Sequence, residues 1–113
     1  MAVPIVSSVQ EYFATLGERF VADASAGVQC VFQYELSGET GGTWHVVVDD
    51  GSFEVIEGAH ESPTTTLKMK DADYVKMVNG ALAGPMAFMT GKLRVKGSIP
   101  IARKMESIFP PNK

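Results

Sequence analysis

The chain has 113 residues, 45% apolar and 20% charged, with 10 Lys and Arg against 13 Asp and Glu for a net charge of −3. That composition suits one globular domain over residues 1–113 with a modest core, and it lacks the concentrated basic surface that holds DNA or RNA. The lone cysteine, Cys30, excludes an internal disulfide and a cysteine-based metal site.

Val9, Phe13, Leu16 and Phe20 fall on one helical stripe and predict an amphipathic helix over residues 6–20, with Ser7 or Ser8 as its cap and Glu11 completing a capping box. Residues 28–36 then alternate, with Cys30, Phe32, Tyr34 and Leu36 on one face and Gln29, Gln33 and Glu35 on the other. A turn over residues 37–42 leads to strands at 44–48 and 52–56, joined at Asp50-Gly51, a step that favours a tight hairpin. After Pro63, residues 64–70 set Leu67 and Met69 against Lys68 and Lys70. Four antiparallel strands with one wet face and one face under helices are expected.

Asp71 is the expected N-cap of a helix over 72–79, striped by Tyr74, Val75 and Val78 and stopped by Asn79-Gly80. Pro85 suits the first turn of a short apolar helix carrying Met86, Phe88 and Met89, with Gly84 and Gly91 as hinges. A fifth strand over 92–96 puts Lys92, Arg94 and Lys96 on one solvated face. Ser98 caps a last helix striped by Ile101, Ala102, Met105, Ile108 and Phe109 and ended by Pro110-Pro111. The order α, four β, α, short α, β, α describes an α+β domain with helices layered over one sheet face.

The catalytic inventory is poor. His45 lies mid-strand on the polar face and His60 on a loop, neither in a ligand spacing; Cys30 reads as a small buried hydrophobe, and Asp49-Asp50 as turn chemistry. No nucleophile elbow or phosphate loop occurs, so no enzyme is expected. Five of the 6 methionines fall between residues 69 and 105, among glycines at 80, 84, 91 and 97. Flexible apolar walls on short elements suit a pocket for a long, variable, greasy ligand.

The stretch Ala87-Phe88-Met89-Thr90-Gly91-Lys92-Leu93-Arg94-Val95-Lys96-Gly97, followed by Ile101-Ala102-Arg103-Lys104-Met105, resembles the sterol carrier protein type-2 domain, a sterol-binding and non-specific lipid-transfer family. Trp44 opening a strand, the Asp50-Gly51 hairpin, and Leu67 and Met69 leading into an Asp-capped helix extend the resemblance over nearly the whole chain. It implies a five-stranded, mostly antiparallel sheet with about four to five helices on one face enclosing a hydrophobic tunnel, and no cofactor. The implied ligand is a fatty acid, fatty acyl-CoA, sterol or phospholipid, held without covalent chemistry. Candidate tunnel residues are Phe20, Phe32, Trp44, Val46, Leu67, Met69, Val78, Leu82, Met86, Phe88, Met89, Leu93, Ile101, Ala102 and Met105, with Lys92, Arg94 or Lys104 near the mouth for an anionic head group.

The absence of a secretory signal, of a long apolar run and of a C-terminal Ser-Lys-Leu address fits a cytoplasmic setting. Transient membrane contact is expected. The alternative function is an accessory domain that forms a homodimer or serves an enzyme of lipid or quinone metabolism.

Overall fold

The computed structural model describes residues 5–39 and 41–111. Thr40, within the expected turn at 37–42, and the terminal residues 1–4 and 112–113 lie outside the described residues. Strands β1 (Gln29–Ser37), β2 (Gly42–Asp49), β3 (Ser52–Glu57), β4 (Thr65–Lys70) and β5 (Arg94–Gly97) form one sheet in the order β3-β2-β1-β4-β5. The β2–β3 hairpin turns where expected: Asp50 and Gly51 both take positive φ, 41° and 88°, the geometry a two-residue turn of matching twist requires. Cys30, Phe32, Tyr34, Leu36, Val46, Val48, Leu67 and Met69 are buried on the helix-covered face.

One pairing corrects the sequence reading. β1 and β4 are parallel, with Phe32 beside Thr65, Tyr34 beside Leu67 and Leu36 beside Met69. Alternation fixes which face a side chain takes, not which strand lies next to it. Residues 58–64 carry the chain from the β3 edge back across the outer face of β2 and β1. His45 Nδ1 donates to the Gly58 carbonyl (2.8 Å), His60 N donates to Gln33 Oε1 (2.8 Å), and Thr64 exchanges two 2.9 Å bonds with the Val31 backbone. The outer face is therefore not uniformly wet: Gln33, His45 and Thr66 are buried beneath this crossover, and the two imidazoles meet edge to face at 5.2 Å.

The helices are α1 (Val9–Ala14), α2 (Asp71–Val78), α3 (Gly84–Met89) and α4 (Ile99–Ile108). α1 is shorter than its apolar stripe suggests. The Thr15 hydroxyl donates back to the Glu11 carbonyl (2.7 Å), and the chain tightens into a 3₁₀ turn at Leu16–Glu18, where Gly17 disfavours continued helix. Its start is capped as expected: Ser8 Oγ accepts from Glu11 N (3.1 Å), and Glu11 accepts from Ser7 N (3.0 Å). α2 begins one residue early, so Asp71 is inside its first turn and Lys70 holds the cap position. Ser98 caps α4 by accepting from Ile101 N (3.3 Å).

Between helices and sheet, Phe13 stacks on Trp44 (4.7 Å) and meets Tyr12 and Tyr34 edge-on (5.1 Å each), while Tyr12 meets Tyr74 at 5.1 Å. A second cluster joins Phe20, Phe53 and Phe109 at 4.6–5.4 Å. Arg19, off the Val9–Phe20 stripe in sequence, is buried. Its guanidinium donates to the carbonyls of Val78 (3.1 Å) and Pro110 (3.3 Å) and lies 5.3 Å from the Tyr12 ring centre. A cation at the carbonyl ends of α2 and α4 offsets both helix dipoles and ties the first segment of the chain to the last.

Candidate functional site

α3 is built to stop quickly. Pro85 occupies its first turn, and Gly91, at φ +76°, terminates it: Gly91 N donates to Phe88 O (3.2 Å) and Lys92 N to Ala87 O (2.9 Å), the paired bonds of a Schellman cap. At its other end, Gly84 lies beside α4, where a Cβ would displace only the tip of the exposed Glu106 side chain. Six residues make too little helix to bury a full stripe. Ala87 alone is buried, while Met86, Phe88 and Met89 remain 54%, 52% and 80% exposed.

Behind α3 lies a cavity of about 390 Å³, bounded by α3, α4 and the β4–β5 edge. Leu67 and Val95 form its floor, with Leu93 just before β5. Ala102 and Met105 of α4 face Phe88 and Met89 of α3 across it, and Met77 of α2 and Ile99 close the ends. Tyr34 donates to Met105 Sδ from below (3.4 Å), so the buried aromatic cluster fixes that part of the wall. The polar contributions come from Arg103 and Glu106, both exposed, at the rim.

Six of the expected tunnel residues therefore converge: Leu67, Phe88, Met89, Leu93, Ala102 and Met105. The other nine lie elsewhere. Phe32, Val46 and Val78 are in the packed core; Phe20 and Trp44 are half-buried in the two aromatic clusters; Leu82 and Ile101 pack partly against the core; Met86 faces solvent. Met69 is buried at the wall of a second hollow. Sequence reasoning missed Met77, Val95 and Ile99, although Val95 alternates in phase with Leu93. The cation at the rim is Arg103; Lys92 and Arg94 face the second hollow instead.

That second hollow is larger, about 670 Å³, but it is an open groove at the end of the sheet where β1, β2, β4 and the α3–β5 link meet. Lys68, Lys70, Lys92 and Arg94 line it with Glu35 and Asp73. Open to solvent and fringed by charged side chains, it leaves an alkyl chain in contact with water, so the smaller, more enclosed cavity is the more apolar site.

Among the described residues, no group of three His, Cys, Asp or Glu side chains is placed to hold a metal ion, and no helix is long and apolar enough to cross a membrane. Cys30 is buried, and burial pushes its thiol above its ordinary value.

A model of the SCP-2 sterol transfer family matches residues 13–110. The chain belongs to that family. Hydroxysteroid dehydrogenase-like protein 2 of Rattus norvegicus is 36% identical over 107 residues, covering 94% of this chain and 20% of the rat protein. The chain thus spans about a fifth of the length of that relative. The sterol carrier protein domain 2 of Helicoverpa armigera superposes with a TM-score of 0.72 at 25% identity, over 88% of this chain and 83% of that one. Palmitated SCP2L2 from Aedes aegypti gives 0.71 at 22% identity, over 94% and 97%. The expected family and α+β fold both hold.

Proposed function

We propose that this domain binds a long-chain lipid, a fatty acid, fatty acyl-CoA, sterol or phospholipid, with its apolar chain in the cavity beneath α3, and passes it on in transient contact with a membrane. The observation that carries the reading is the cavity itself, walled by apolar side chains and by three methionines, Met77, Met89 and Met105, in a chain of this family. Unbranched methionines let the wall follow chains of different shape. Phe88, Met89, Leu93, Ala102 and Met105 are the proposed ligand contacts, with Arg103 receiving a carboxylate or phosphate at the rim.

The magnitudes agree with this role. A volume of about 390 Å³ lies at the low end of the range for small-molecule pockets. It corresponds to roughly a dozen methylene-sized units, taking ~30 Å³ for each. At ~0.8 kcal/mol per CH₂ these give roughly 10 kcal/mol gross. Ordering costs of several kcal/mol leave micromolar or somewhat weaker binding. A longer chain extends under α3, whose outer residues are already exposed.

The test is titration of the purified chain with a fluorescent fatty acid. Saturable binding is expected, with Phe88→Asp weakening it at least tenfold while far-ultraviolet circular dichroism stays native. Absence of saturable binding at millimolar ligand rejects the proposal.

A second reading has its own support, because the rat relative is about five times longer than its matching region. In that reading the domain presents lipid to, or docks on, an enzyme. Light scattering after size exclusion separates the two: a tight complex that excludes the fluorescent lipid favours docking.

A further inference from the structure

The charged side chains that line the cavity beneath α3 are one cation and one anion, Arg103 and Glu106, both on α4 and both exposed. Lys76 and Lys104, next in sequence to lining residues, are not part of the wall. Three residues apart on a helix, Arg103 and Glu106 have Cβ atoms roughly 5–6 Å from each other. They nevertheless form no ion pair, and neither side chain makes a hydrogen bond among the described residues. A basic residue N-terminal to an acidic one is the weaker order for such a pair. Glu106 reaches toward α3 instead, with Oε1 2.5 Å from where a Cβ on Gly84 would stand. Arg103 lies one turn nearer the start of α4. The rim therefore offers an unpaired guanidinium and an unpaired carboxylate at two separate points.

The interior limits the rest of the ligand. A volume of about 390 Å³ takes one alkyl chain of roughly a dozen methylenes, and a second long chain or a whole sterol needs roughly twice that space. The rim limits the head. A head with only a negative charge satisfies Arg103 but sets a like charge ~5 Å from Glu106, which costs about fourfold in affinity in water. A head with only a positive charge meets Glu106 and is repelled by Arg103 in the same way. A head with both charges on a short link gives each side chain its opposite.

We propose, resting on the lipid-binding reading above, that the cavity selects single-chain lipids with a zwitterionic head, as in a lysophosphatidylcholine or an acylcarnitine. Arg103 takes the phosphate or carboxylate on its planar fork, and Glu106 takes the ammonium. Glu106 is then the residue that sets specificity: it weakens plain fatty acids and strengthens zwitterions. Exposed charges contribute little to affinity, so the alkyl chain supplies the binding and the rim supplies the choice.

The experiment is displacement of a fluorescent fatty acid from the purified chain at neutral pH and low salt. The competitors are lauroyl-lysophosphatidylcholine, lauroylcarnitine, lauroyl-lysophosphatidylglycerol and laurate, each below its micelle concentration. All four carry the same acyl chain, so differences among them report the head. The zwitterions are expected to bind about fivefold tighter than the anions, and the ratio to fall toward one at ~1 M salt, where the Debye length is ~3 Å. The better of the two zwitterions shows whether the preferred anion is a phosphate or a carboxylate. Glu106→Gln tightens the anions and weakens the zwitterions, each severalfold, and a loss of packing cannot produce opposite signs. Arg103→Gln weakens all four. Equal affinity for zwitterions and anions, or an unchanged ratio in Glu106→Gln, overturns the proposal and leaves the lipid cavity standing. Failure of the fluorescent fatty acid itself to bind saturably rejects the lipid-binding reading, and this selectivity with it.

Discussion

Ala102→Phe separates a ligand cavity from an ordinary core, because the two respond with opposite signs. Ala102 is half-buried on α4 and faces the space of about 390 Å³. A phenyl ring placed there displaces roughly six methylene equivalents of ligand, ~5 kcal/mol at ~0.8 kcal/mol each. Adjustment of Met77, Met89 and Met105 recovers about half of that. The remaining ~2–3 kcal/mol weakens fatty-acid binding by roughly 30- to 150-fold. Stability moves the other way. Forcing the same ring into a close-packed core costs ~1–3 kcal/mol, which lowers Tm by about 4 °C or more in a domain of this size. Filling a real void adds apolar burial without strain, so Tm is expected to hold or rise. Differential scanning calorimetry and fluorescent fatty-acid titration of the variant read both quantities. A lower Tm with unchanged lipid affinity refutes the reasoning and returns this region to the packed core.

Burial raises the phenols of Tyr12, Tyr34 and Tyr74 above their ordinary 10.0, so their stabilisation is complete below about pH 10. It is lost above that pH, as the unfolded chain releases protons that the folded chain keeps: ~1.4 kcal/mol per pH unit for each phenol, about 4 for the three. Urea midpoints measured at pH 9, 10 and 11 should therefore be flat and then fall steeply; a phenolate absorbance titrating three groups at pH 10 in folded protein would contradict this. His45→Ala removes the bond to Gly58 and the contact with His60, and is expected to cost ~1–3 kcal/mol in urea denaturation without altering fatty-acid affinity, since the crossover lies on the sheet face away from the cavity.

Much of this fold was legible because its signals are local. Helix periodicity found Val9, Phe13 and Leu16, and strand alternation found Phe32, Tyr34 and Val46, since each pattern depends only on which face meets the core. The parallel β1–β4 pairing was not legible. Residues 58–64 look like any polar loop until Gln33, His45 and Val31 supply their partners from strands far back in the chain. The burial of Arg19 is illegible for the same reason: the carbonyls that accept its bonds are 59 and 91 residues away. The cavity fell between these cases. Leu67 and Phe32 look alike in sequence, both apolar and inward, yet one bounds a void and the other is wholly packed. Periodicity reports burial and is blind to the gap between buried surfaces.

What opens that gap is the shortness of α3. A helix of ordinary length over the β4–β5 edge would bury its large side chains and close the space. Here Pro85 and the Gly91 cap hold the element to six residues, and the one side chain it buries is the Ala87 methyl. Its C-terminal bonds are local: Lys92 N and Leu93 N both donate to Ala87 O, at 2.9 and 3.0 Å. An anchor of one methyl contributes on the order of 1 kcal/mol, against ~1.5–3 for each fully buried large side chain elsewhere in the core. Segments with so few buried apolar contacts open at the lowest free energy in a domain. α3 is thus expected to exchange its amides faster than β4 or α4, which hydrogen exchange would read, while the Tyr34–Met105 contact holds the opposite wall.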